Sequence, residues 1–133
     1  MPDDFNGVWK LVRNENLDDF LKEIGMNMVF RKVAGTLSPT VTITQDGDKF
    51  TIKSVSSVRT EEYSWAIGEP FEQKFEGKMY KCLARWEGKK LVVAAQAIEE
   101  GGKPLTLTRE NQGDEHVQTL ECNGKVAKRF FKK

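Results

Sequence analysis

Two arginines, Arg109 and Arg129, stand where strand alternation calls for apolar side chains. In Leu105-Thr106-Leu107-Thr108-Arg109-Glu110 a period of two groups Arg109 with Leu105 and Leu107. In Ala127-Lys128-Arg129-Phe130-Phe131 it groups Arg129 with Ala127 and Phe131. An unpaired guanidinium inside a protein costs several kcal/mol, and arginine cannot shed its proton to escape that cost. No carboxylate in either segment shares their face. The chemistry implied is therefore capture of an anion, which can be a ligand. The competing reading pairs one or both arginines with a distant glutamate.

Other chemistries have little raw material. One histidine, His116, and two cysteines, Cys82 and Cys122, are too few for a zinc set or a nucleophilic triad, so no catalysis, metal or cofactor is expected. The cysteines form no disulfide framework, which fits a reduced compartment: the cytoplasm, with the nucleus as a second location. Net charge is +1, from 21 basic and 20 acidic residues well interspersed, and that balance excludes a nucleic-acid footprint. The start Met1-Pro2-Asp3-Asp4-Phe5 lacks a signal region, and no apolar run reaches membrane-spanning length. A chain of 133 residues is expected to form one domain, 1–133, and a monomer.

Short strands must position the arginines. Phe50, Ile52, Ser54, Ser56 and Val58 share one face, with Thr51, Lys53, Ser57 and Arg59 opposite; Tyr80, Cys82, Ala84 and Trp86 share another. Acidic-Gly and Asn-Gly pairs between strands, such as Asp46-Gly47, Glu87-Gly88 and Asn123-Gly124, supply the positive φ that hairpins need. Strands at roughly ten-residue spacing point to an antiparallel sandwich or barrel. One region departs from this. Leu17, Phe20, Leu21 and Ile24 recur at helical spacing between Asn16 and Gly25, and a second helix is expected from Met26 to about Leu37. Two helices inserted once in a β chain read as a lid over one end of the sheet. Ser54, Ser56, Gln96, Gln118 and both arginines share faces with apolar residues, more polar groups than a dry core tolerates. A hydrated cavity inside a barrel would satisfy them and leave room for a small ligand.

The order of motifs resembles the intracellular lipid-binding proteins, the fatty acid-binding and cellular retinoid-binding family. Phe5-Asn6-Gly7-Val8-Trp9-Lys10 with Asn14-Glu15-Asn16-Leu17-Asp18-Asp19-Phe20-Leu21 is similar to its N-terminal signature, though an aromatic usually stands at Leu17. Arg31-Lys32-Val33-Ala34-Gly35, Thr44 to Lys53 and Gly68-Glu69-Pro70-Phe71-Glu72 match its middle. The segment Gly113 to Thr119 with Ala127 to Lys133 looks most like the intestinal type, whereas Val58-Arg59-Thr60-Glu61-Glu62 and Arg85-Trp86-Glu87 are similar to retinoic-acid binders. The resemblance implies an all-β fold: a ten-stranded antiparallel flattened barrel, or clam, with a helix-turn-helix lid between the first two strands. It implies a non-catalytic carrier holding one long-chain fatty acid or similar hydrophobic carboxylate, with retinoic acid as the alternative ligand. Arg109 and Arg129 fall at the family's two inward arginines, assisted by Gln118. The tyrosine that completes the usual carboxylate clamp is replaced by Phe131. The cavity is expected to be lined by Leu17, Phe20, Leu21, Val58, Tyr80, Gln96, Leu107, Leu120 and Phe131, and its portal by Phe30, Ala34 and Phe75. Related proteins use basic lid residues for membrane or receptor contact, a part that Lys22, Arg31 and Lys32 would play here; the competing reading is a solvated face.

Overall fold

The computed structural model describes residues 3–75 and 77–133. Ten strands follow the alternating segments: β1 (Gly7–Glu15), β2 (Thr40–Asp46), β3 (Lys49–Val55), β4 (Thr60–Ala66), β5 (Phe71–Phe75), β6 (Lys78–Glu87), β7 (Lys90–Ala97), β8 (Leu105–Gln112), β9 (Glu115–Cys122) and β10 (Lys125–Lys132). They form one antiparallel sheet in the order β4-β3-β2-β1-β10-β9-β8-β7-β6-β5, curled into a nearly closed barrel. Each hairpin is set by its turn. Between β9 and β10, Asn123 and Gly124 take φ of 54° and 81°, the double left-handed conformation that matches strand twist. The two ends of the sheet, β4 and β5, share no ladder. There the Tyr63 hydroxyl donates to the Lys74 carbonyl at 3.0 Å, linking one end strand to the other.

Two helices lie between β1 and β2, as expected. Helix α1 (Leu17–Glu23) buries Leu17, Phe20 and Leu21, and Gly25 beyond it takes φ 94°. Its C-terminal carbonyls are capped from the barrel: Lys78 Nζ donates to Ile24 O at 2.8 Å and Lys103 Nζ to Glu23 O at 3.0 Å. Helix α2 (Met28–Thr36) starts on Asn27, whose side chain accepts from Phe30 N at 3.1 Å. It buries no residue completely.

The barrel interior divides into a packed part and an open part. Aromatic rings fill the packed part. Phe50 stacks on Trp65 at 4.9 Å and Trp65 on Phe71 at 5.2 Å, while Phe5 and Trp9 close the same interior from the N-terminal segment. The open part lies among α1, the end strands and the row that carries the arginines.

Candidate functional site

Strand register places the polar groups in line. Arg109 on β8 is paired with Gln118 on β9, Gln118 with Arg129 on β10, and Arg129 with Asn14 on β1. The period of two turns Arg109, Gln118 and Arg129 inward, because Leu107, Leu120 and Ala127 lie on the same faces, and a register shift between Leu11 and Arg13 on β1 brings Asn14 into line with them. Arg129 Nε donates to Asn14 Oδ1 at 2.9 Å. Arg109, Gln118 and Arg129 border a cavity of about 150 Å³, enough for roughly ten waters at ~10–15 Å³ of occupied space each.

Arg109 is held by a neutral base. Its Nη1 lies 3.3 Å from His116 Nε2, and His116 Nδ1 lies 3.0 Å from Asn111 Oδ1. A guanidinium only donates, so Nε2 must be the acceptor and Nδ1 must carry the imidazole proton toward Asn111. The Asn111 amide in turn donates to the Asp4 carbonyl at 3.0 Å. The His116 ring is fully buried, edge-on to Phe5 at 4.9 Å and stacked on Trp9 at 5.0 Å. Burial and then the Arg109 charge push its pKa down to about 3. Burial and then the Arg129 charge lower Arg109 to about 10, so it stays cationic at neutral pH. No carboxylate lies within ion-pair distance of Arg109 among the described residues, which answers the distant-glutamate reading for that arginine.

Most of the expected lining is in place. Leu17, Leu21, Leu107, Leu120 and Phe131 border the cavity, and so do Ala34 and Phe75, the two expected at a portal. Four residues expected in the lining do not border it. Gln96 points outward, paired across the strand with Lys81, because the run Leu91 to Ala95 is apolar on both faces and carries no readable alternation. Val58 lies in the β3–β4 turn, 60% exposed, beyond the reach of the strand period. Phe30, expected at the portal and not in the lining, is 61% exposed on α2. Phe20 and Tyr80 are buried but sit in packing around Phe75, with ring centroids at 6.3 and 6.5 Å, rather than on the cavity wall. On the lid, Arg31 is withdrawn from the basic face: it donates to Asp18 at 2.9 Å and to the Met26 carbonyl at 2.8 Å, leaving Lys22 and Lys32 exposed.

Several site residues escaped the sequence reading. His116 was weighed only as catalytic material, and nothing local to it signals a partner on another strand. Arg59 lines the cavity although the β3 alternation puts it opposite, since that strand ends at Val55 and a turn intervenes. Glu61 and Tyr63 also line it, and they were legible, sharing a period-two face with the buried Trp65. The two cysteines are free and buried, and burial pushes the Cys82 thiol up to about 11, an unreactive state at neutral pH.

A capped antiparallel barrel with a polar row on the wall of an internal cavity is the architecture of proteins that enclose small molecules. The lipocalin / cytosolic fatty-acid binding protein family model matches residues 6–133, and the chain belongs to that family. It is 40% identical over 131 residues to the cellular retinoic acid-binding protein 1 of Gallus gallus, covering 96% of each chain. It is 38% identical over 129 residues to a fatty acid-binding protein of Tyrophagus putrescentiae, again covering 96% of each. Among solved structures it is similar to apo lipid binding protein 8 of Caenorhabditis elegans, with a TM-score of 0.91, 30% identity, and coverage of 97% of this chain and 94% of the other. The relatives thus include both retinoic acid-binding and fatty acid-binding proteins. No helix among the described residues is long and apolar enough to cross a membrane.

Proposed function

We propose that the protein is a non-catalytic carrier that takes up one long-chain fatty acid or similar hydrophobic carboxylate inside the barrel. The observation that carries this reading is Arg109, partly buried, cationic and bonded to the neutral His116 with no carboxylate beside it, at the wall of an otherwise largely apolar cavity. A carboxylate there makes charge-assisted hydrogen bonds, with Gln118 as a second donor and Arg129 contributing field. Phe131 supplies no hydroxyl, so Arg129 acts across a water or through charge alone. Burying about fifteen methylenes at ~0.8 kcal/mol each contributes ~12 kcal/mol. Lost freedom of ligand and cavity water offsets about 4 kcal/mol or more of this, so the apolar contribution alone supports binding of about micromolar order, and the head-group hydrogen bonds add to it.

The similarity to retinoic acid-binding proteins supports a second reading in which the carboxylate belongs to a retinoid. It needs the same arginines and a different cavity shape. Calorimetric titration of delipidated protein with oleate and oleyl alcohol, followed by competition with retinoate, tests both. We expect one acid per barrel, weaker binding of the alcohol, and a ranking of oleate and retinoate that names the ligand class. Equal affinity for acid and alcohol, or two ligands per barrel, contradicts a single arginine-anchored site.

A further inference from the structure

The cavity has a second polar pole, at the place where β4 and β5 face each other without a ladder. Glu61 and Tyr63 of β4 line it there with Ser54 of β3, Gln73 of β5 and Arg59. Ser54 and Glu61 are cross-strand neighbours. Arg59 Nε lies 3.3 Å from one Glu61 oxygen. The Tyr63 hydroxyl lies 2.8 Å from the other and 3.0 Å from the Lys74 carbonyl, so one phenolic proton serves two acceptors. A carboxylate has about four acceptor positions, and Glu61 retains capacity for another donor from the cavity side. Between this pole and the arginine row the wall is apolar, formed by Trp65, Phe75, Leu91, Val93 and Leu107. Strand β5 stands three strands from β8, about 14 Å along the wall at ~4.8 Å per strand.

We infer that this pole selects a lipid acid bearing a hydroxyl far from its carboxylate. The inference rests on the reading that the carboxylate sits at Arg109. The ligand hydroxyl donates to Glu61, and its oxygen accepts from the Gln73 amide. A plain hydrocarbon tail would desolvate Glu61 and return nothing, whereas the hydroxyl replaces the displaced water. Arg59 offsets the Glu61 charge, so this pole distinguishes a hydroxyl from a hydrocarbon by hydrogen bonding rather than by net charge.

The test titrates the delipidated 133-residue protein with palmitate and its ω-hydroxy derivative. Wild type, Glu61→Gln and Glu61→Leu are compared. Wild type is expected to bind the hydroxy acid about three- to tenfold more tightly than palmitate. Glu61→Leu should reverse the preference between palmitate and the hydroxy acid. Glu61→Gln, nearly isosteric, should keep the hydroxyl preference in weaker form. A ranking that is the same in all three proteins overturns this inference alone. Failure of every acid to bind wild type overturns the arginine-anchor reading, and this one with it.

Discussion

His116 determines how Arg109 is presented. By accepting through Nε2 it orients the guanidinium without neutralising it, so the remaining N–H donors and the full charge stay available to the cavity. A carboxylate in its place would form a buried ion pair and compete with any anionic ligand. The same buried imidazole makes stability depend on pH. Unfolded, it titrates near 6.5; folded, near 3. Between those values the unfolded chain binds a proton that the folded chain refuses. Its contribution is therefore complete above pH 6.5 and declines as pH falls, by about 1.4 kcal/mol per unit and by ~2 kcal/mol at pH 5. Denaturant melts of wild type and His116→Leu at these two pH values check this: the variant is expected to lose about 2 kcal/mol less between them. Equal losses would show that His116 is not held neutral. This residue was invisible to alternation, because its role depends on a partner seven residues away across a hairpin and on rings from the N-terminal segment.

The two lid helices are held unequally. Helix α1 is fixed by three buried side chains and by Lys78 and Lys103, whereas α2 buries no side chain completely and shows Met28, Val29 and Phe30 to solvent. Elements with few buried contacts open at low free energy. Amide hydrogen exchange is expected to be markedly faster across residues 28–36 than across 17–23, and equal protection would contradict a gate at α2. Because Phe30 is exposed, Phe30→Ala should change stability by less than about 0.5 kcal/mol. Its effect belongs to passage. On- and off-rates should shift together while the dissociation constant moves little, as for a residue that gates entry. Stopped-flow with a fluorescent fatty acid reads this directly, and unchanged rates would remove Phe30 from the gate. The helical periodicity made both helices legible from sequence. Which of them packs was not, since α2 carries apolar residues that the barrel leaves uncovered.

At the scale of the whole molecule, the ten strands, their turns and the inward arginines were readable because a period of two survives wherever one face is wet. Gln96 was misplaced where that contrast vanishes: Val92 is buried on the outer face beside an equally apolar inner face. Arg59 was misplaced because a turn resets the period. Neither error touches the row Arg109–Gln118–Arg129–Asn14, which exists only once four strands are brought into register. The central claim is that this row awaits an anionic lipid. Burial lowers the pKa of Arg109 to about 10, so its charge costs the empty protein on the order of 3 kcal/mol at neutral pH, and the cost eases only above pH 10, where the folded form would release the proton before the unfolded one. Removing an uncompensated buried charge is neutral or stabilising, whereas breaking a buried ion pair costs about 3–5 kcal/mol. The most direct measurement is Arg109→Gln, melted without ligand and titrated with oleate and oleyl alcohol beside wild type. The expected result is an empty protein at least as stable as wild type that binds the acid about tenfold or more weakly and has lost the preference for acid over alcohol. A strongly destabilised protein with its acid preference intact would contradict the claim and make Arg109 a structural residue.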